Sequence, residues 1–480
     1  MILAIYKKSI SKKPTHLENQ KMYICNMSVN TSMNWKQLLS AKRWGYEHRV
    51  SDSHLIARSE FQRDYDRLIF SSPFRRLQNK TQVFPLPGAV FVHNRLTHSL
   101  EVASVGRSLG RLFYTKMKDA DSEIDELYPY LQEVGNMVSA ACLSHDLGNP
   151  AFGHSGEAAI STYFTEGDGR KYQEQVTKEE WADLTHFEGN ANALRILTHP
   201  FNGKDDKGFA LTYTSLASIV KYPCAAIDGH IKKNHHRKKY GYFASERETF
   251  ETIAAELGLL EDPTNPKGYL RHPLVYLVEA ADDICYNIID LEDAHHLKIL
   301  SYPEVEDLLL PLCGGEDLRA RLDSLYDTAS RVALLRAKAI NTLTKACVDV
   351  FYNEQEQFLK GTFPSALMDA LDADIVAHLK RINKISVAKI YNAPTVVQIE
   401  VAGYKVMNAL LAEFVPAYLK KNKNSYDEKL VALIPHQFYT DQEDSYSKIR
   451  SVLDFVSGMT DVYAIDLYRK ITGMIIPSID

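Results

Sequence analysis

The stretch that most narrows the fold is residues 273–294, PLVYLVEAADDICYNIIDLEDA. It is long and rich in apolar residues, so it predicts a buried helix. Asp282 and Asp283 lie inside it, and adjacent carboxylates in such a helix are costly unless they are paired or bind a cation. The remaining chain is mostly helical by pattern. Helices are expected over residues 95–112, 133–147, 156–164, 186–199, 211–222, 250–260, 302–312, 318–351, 363–385 and 401–415, with three more before the end. Residues 80–92, KTQVFPLPGAVFV, alternate like a β-hairpin turned by Pro85, Pro87 and Gly88. Residues 387–391 and 395–400 lean towards strand, 263–268 read as a linker, and 167–181 read as a charged flap without periodicity.

A chain of 480 residues builds a core easily, in two or three lobes. Its net charge of -5 excludes a wholly basic nucleic-acid coat but leaves room for a local basic pocket. The 6 cysteines show no CxxC spacing, which favours reduced thiols in a cytoplasm over a disulfide scaffold. No run approaches the roughly 18 apolar residues of a membrane span. Residues 1–32 open with an interrupted, polar stretch and are expected to be a dispensable arm, or the product of an over-called start.

Chemistry concentrates at residues 142–157, CLSHDLGNPAFGHSGE. An apolar helical run delivers His145 and Asp146, a turn through Gly148, Asn149 and Pro150 breaks it, and His154 and Glu157 follow. Imidazole beside carboxylate suits a hard or borderline divalent cation. A second imidazole with a nearby acid suits proton transfer. One His-Asp pair is weak evidence, and His98 alone reads as a core histidine. The combination of His98, then His145-Asp146, then Asp282 or Asp283 in an apolar helix predicts a mononuclear metal site. No Walker loop, dinucleotide glycine fingerprint or HExxH occurs, so an anionic pocket has to be built from side chains. Residues 58–77 hold Arg58, Arg63, Arg67, Arg75 and Arg76, either a solvated face or the lining of such a pocket. The basic run 232–239 could grip phosphate, nucleic acid or only solvent, with solvent favoured.

The ordered H…HD…D set resembles the HD-domain metallohydrolase superfamily. Within it, SSPFRRLQNKTQVFP, RLTHSLEV, HDLGNPAFGHSGE, HFEGNANALRILT, KYP, EAADDICYNIIDLEDA and EVAGYKV resemble the bacterial deoxyguanosine triphosphate triphosphohydrolases. The similarity runs from about residue 58 to 405, and the DVYAIDLYRKITG ending fits as well. The chain departs from that pattern at VFVHN, where His93 and Asn94 are expected to alter a pocket edge.

The resemblance implies a mainly α HD-domain body over residues 33–300. A helical region, 301–480, would complete the nucleotide pocket and the contacts of a homo-oligomer, commonly a hexamer. It implies metal ligands His98, His145, Asp146 and Asp282. Asp282 is preferred to Asp283 because Asp282, Tyr286 and Asp290 share one helix face. His154 becomes the catalytic acid/base and Glu157 its partner. Tyr286, Asp290 and Gln82 take the sugar, Lys221 and Tyr222 the phosphates with Arg58 and Arg95, and Glu400 the guanine edge. The implied reaction is metal-dependent release of deoxynucleoside and intact triphosphate from dGTP, or other dNTPs, with Mg²⁺ or Mn²⁺. Single-stranded DNA or a nucleotide is admitted as effector. The rival readings are a nucleotidase or phosphodiesterase of the same superfamily, and a nucleotide-sensing module with little turnover.

Overall fold

The computed structural model describes residues 31–46, 58–85, 91–202, 207–232, 234–314 and 317–475. Most of the expected arm, residues 1–30, lies outside this set. Eight helices carry the argument: α1 (Arg95–Ala120), α2 (Val134–Ser144), α3 (Gly153–Thr165), α4 (Gly189–Thr198), α5 (Leu274–His296), α6 (Thr328–Asn353), α7 (Pro394–Leu419) and α8 (Ser445–Ser457). The mainly α expectation holds.

α1 starts where the sequence makes a cap available. The Asn94 side chain accepts the Thr97 amide, and the Thr97 hydroxyl accepts the Asn94 amide, both at 3.0 Å. Along its length α1 packs on α2, and their closest approach needs glycine. A Cβ on Gly110 would stand 2.7 Å from the Cα of Gly135. α5 lies against α1, α2 and α6. Its apolar residues, Leu277, Ile284, Ile288 and Leu291 among them, are fully buried, and each stabilises the fold by about 1.5–3 kcal/mol. This packing brings the first turn of α1, the end of α2 and the middle of α5 together.

A second apolar cluster joins residues of α3, including Ile160, Tyr163 and Phe164, to Met407, Leu410 and Phe414 of α7 and Ile449, Val452 and Leu453 of α8. Helices of the C-terminal region therefore pack directly over the turn that follows the His-Asp pair.

Several local readings change. The small hairpin is present but lies elsewhere: β1 (Glu261–Asp262) pairs antiparallel with β2 (Asn265–Tyr269), in the expected linker. Among the described residues of 80–94 there is one antiparallel bridge, Thr81 to Asn94, and no strand; 86–90 lie outside the described residues. The reason is competition for backbone donors. The Thr81 amide goes to Asp461 Oδ2 at 2.8 Å and the His93 amide to Asp293 Oδ2 at 2.9 Å. The strand-leaning segments 387–391 and 395–400 are both helical instead: a π-helix covers Ser386–Tyr391, and after Asn392 and Ala393 α7 begins with Pro394 in its first turn. The expected flap is helical too, at Asp168–Gln175 and Lys178–Thr185, with Tyr172 buried. His93 and Asn94 do not line the pocket described below. His93 Nδ1 lies 2.8 Å from Asp293 and its Nε2 3.2 Å from Glu101. Against burial, these two acids push its pKa up to about 10.

Five cysteines among the described residues are free and buried. Among the described residues no helix is long and apolar enough to cross a membrane.

Candidate metal centre and pocket

His98 sits in the first turn of α1, His145 and Asp146 directly after α2, and Asp282 in the middle of α5. Ligand atoms of His98, His145 and Asp146 lie within 4.8 Å of one another. Asp282 Oδ1 stands 3.0 Å from His98 Nε2 and 3.5 Å from His145 Nε2. With coordinate bonds of roughly 2.0–2.2 Å, donors spaced like this can share one ion. The tautomer fits as well. His145 Nδ1 is 2.6 Å from the Cys142 carbonyl, which can only accept, so the proton sits there and Nε2 faces the cluster as a lone pair. Burial opposes ionisation of Asp282, but His145 and His98 hold its carboxyl well below the usual range. Burial likewise opposes charge on His145, and Asp146 and Asp282 still push it up to about 9. The carboxylates thus attract positive charge to this point, and a divalent ion satisfies that demand better than protonated imidazoles do.

Asp283 does not join. It is pushed up to about 7, chiefly by burial, and its charge neighbours are Lys221 and Glu279. Arg95 Nη1 donates to Asp146 Oδ2 at 2.7 Å, holding that carboxylate from behind.

The cluster opens into a pocket of about 540 Å³. His154, in the first turn of α3, projects into it with its side chain 86% exposed. Its Nδ1 lies 2.8 Å from Glu157 Oε2, while Glu157 Oε1 accepts the Gly189 amide at 2.8 Å. Gly189 opens α4, and the site requires glycine there: a Cβ would stand 2.1 Å from Asn149 Oδ1. Hydrogen bonding to Glu157 raises the His154 pKa. Burial works against the Glu157 charge, yet His154 and its other donors hold its pKa below the usual value. The result is an imidazole oriented by one nitrogen and offering the other to the pocket.

Gln82, Lys221, Tyr222, Tyr286 and Glu400 also line this space. Lys221 Nζ is 2.9 Å from Glu279, which overcomes burial and keeps the amine protonated. Gln82 Oε1 is buried with no hydrogen-bond partner. Two other expected contacts are placed differently. Asp290 is buried behind the wall, where it accepts the Tyr391 hydroxyl at 2.7 Å. Arg58 does not line the pocket: its side chain is 63% exposed and pairs with Asp66 at 2.5 Å.

Comparison with known proteins decides the family. A phosphohydrolase-associated domain matches residues 370–470. A deoxyguanosinetriphosphate triphosphohydrolase-like protein of Synechocystis is 39% identical, over 92% of this chain and 100% of the relative. One of Pseudomonas aeruginosa (strain LESB58) is 37% identical over 93% of this chain and 100% of its own. A Yersinia enterocolitica protein named deoxyguanosinetriphosphate triphosphohydrolase is 31% identical, over 92% and 99%. The chain belongs to the deoxyguanosinetriphosphate triphosphohydrolase family of HD proteins. It is a hydrolase, and membership in an HD phosphohydrolase family implies use of a divalent metal, in keeping with the donor set above.

For this triphosphohydrolase family member, the sequence reading missed several pocket residues. Tyr391 stacks on Tyr286 with ring centroids 5.4 Å apart and planes 20° from parallel. Lys239 Nζ pairs with Glu188 at 3.0 Å, so the basic run 232–239 is not wholly solvent-facing. Glu188 and Asn190 line the same wall, and the HFEGNAN stretch was the available signal for both.

Proposed function

We propose that the chain hydrolyses dGTP to deoxyguanosine and inorganic triphosphate, using Mg²⁺ or Mn²⁺, in the cytoplasm. One observation carries the reading: the His98, His145, Asp146 and Asp282 donors share a single pocket with the oriented His154 and the cationic Lys221. Those four residues would hold a divalent ion, which would supply positive charge for the phosphoryl group and lower the pKa of water.

The other roles fall to the chain's own side chains. The raised pKa of His154 favours its protonated form, so it serves as general acid. As water bonds to the α-phosphorus and releases a proton to solvent, the bond to O5′ breaks, Nε2 delivers a proton to O5′ and Glu157 holds the resulting neutral tautomer. Lys221, Tyr222 and Lys239 meet the phosphate oxygens. Arg95 fixes Asp146. The Tyr286 ring lies against C2′ of the sugar and leaves no room for a 2′-hydroxyl. The unpartnered Gln82 Oε1 accepts the 3′-hydroxyl, with Asp290 fixing the Tyr391 hydroxyl at the sugar's edge. Glu400, exposed on the first turns of α7, accepts from guanine N1–H and N2–H and repels the lone pair that adenine carries at N1.

A panel of the four dNTPs and GTP with Mn²⁺, with triphosphate and pyrophosphate detected separately, tests this. dGTP is expected to react fastest, giving triphosphate, and Glu400→Gln to narrow its lead over dATP. Release of pyrophosphate with dGMP, or no turnover of any of the five, would replace this reading with one of the rivals.

The enzyme is further read as a homo-oligomer of six copies, with residues 301–480 completing the pocket and intersubunit contacts and residues 1–32 dispensable. In support, Val387, Val397 and Val401 are 46%, 39% and 55% exposed around the start of α7, and apolar surface of this kind suits subunit contact. Sedimentation velocity on the full chain and on a variant lacking residues 1–30 checks this. A monomeric full chain would remove the oligomer, and an inactive truncation would give the arm a role.

A further inference from the structure

We propose that the cavity between the Ser72–Arg76 helix, α4 and the end of α8 is a second ligand site, taking a flat heteroaromatic ring that carries one hydrogen-bond donor and one anionic group. It encloses about 380 Å³ and shares no lining residue with the catalytic pocket. The inference goes beyond the proposed reaction and does not rest on it.

Asn192 makes this a built site. The residue is 1% exposed and lines the cavity. Its Nδ2 donates to the Gly148 carbonyl at 2.8 Å and to Ser457 Oγ at 3.3 Å. A carbonyl only accepts, so the amide cannot be flipped, and the orphan atom is Oδ1, buried with no partner. A buried acceptor of this kind calls for a donor.

Arg76 supplies the second demand. Among the described residues its guanidinium meets no carboxylate and no hydrogen-bond acceptor, although it lines the same cavity and burial lowers its pKa. Arg76 adds to the positive field at another cation, Lys80, whose ammonium is spent on the Asn149 and Ser457 carbonyls. The Asp454 carboxylate that also lines the cavity is held by Arg195 at 2.7 and 2.8 Å. An anion that arrives with a fork of oxygens, phosphate or carboxylate, answers it. The apolar demand comes from Phe201 and Phe438, packed edge to face at 5.8 Å on the rim. Aromatic edges and faces select a planar ring, and the volume sets a mononucleotide as the upper size.

Titration calorimetry on the full, metal-loaded chain tests the site with two probes, adenosine 5′-monophosphate and indole-3-carboxylate. Each bears a ring, a donor and one anionic group, so the two distinguish phosphate from carboxylate. At least one is expected to bind saturably, one per chain. Arg76→Met should weaken that binding about tenfold or more, as loss of a charged hydrogen bond does, and Lys221→Met should leave it unchanged. Ser72→Trp, from an exposed helix position at the cavity's edge, should block it and serves in place of Arg76→Met if that variant does not fold. No binding of either probe, binding that survives both cavity variants, or binding lost with Lys221→Met would overturn the proposal.

Discussion

His154→Ala is expected to lower kcat by about 10²–10⁴-fold, the range a positioned general acid supplies, while metal content and nucleotide affinity stay near those of the parent enzyme. The separation follows from placement. His154 is not among the converging ligand atoms, and its ring stands in the open pocket. Burst analysis of triphosphate release together with metal content after dialysis checks both halves. Parent-like turnover in the variant would strip His154 of its role.

A pH profile sharpens the same prediction. A general acid works while it holds its proton, so activity falls as pH rises through the His154 pKa. Hydrogen bonding to Glu157 raises that pKa. Glu157→Gln removes the carboxylate charge, so the alkaline limb of kcat/KM should move to lower pH. An alkaline limb that stays in place while the acid limb moves to lower pH would make His154 a base.

How far the site was legible depends on whether its contacts are local. His145 and Asp146 are adjacent, and helical spacing put Asp282 on one face with Tyr286 and Asp290, whose sugar roles came only from the family resemblance; Asp290 lies behind the wall, bonded to Tyr391. Tyr391 gave no such sign. It is delivered by a π-helical turn in a stretch whose β-branched residues favoured strand, and packing of α7 on α3 overrides that preference. Lys239 was hidden in a charge run, because its partner Glu188 lies 51 residues away. Arg58 is placed differently from the role the resemblance gave it. Arginine density left a solvated, ion-paired face open beside an anionic lining, and the side chain turns outward to Asp66. The hairpin at 80–92 failed for a long-range reason: Asp461, 380 residues later, takes the Thr81 amide that a strand ladder would have used.

Asp282→Ala should lose the metal, and Asp283→Ala should keep it. The two residues are neighbours on α5, but successive positions on a helix point about 100° apart. Asp282 turns towards His98 and His145, at 3.0 and 3.5 Å. Asp283 has Lys221 and Glu279 as its charge neighbours and no place among the donors. Loss of groups that merely support a ligand weakens metal affinity by about 10–100-fold, so loss of a ligand should cost at least that and abolish turnover at micromolar Mn²⁺. Asp283→Ala should instead perturb KM, since removing its partial negative charge alters the field around Lys221, the proposed phosphate contact. Mn²⁺ titration followed by electron paramagnetic resonance reads occupancy independently of activity. Full occupancy in Asp282→Ala with an empty site in Asp283→Ala would transfer the ligand role by one residue. It would also require α5 to be rotated from its present register, with Ile284 and Ile288, now fully buried, turned out of the core.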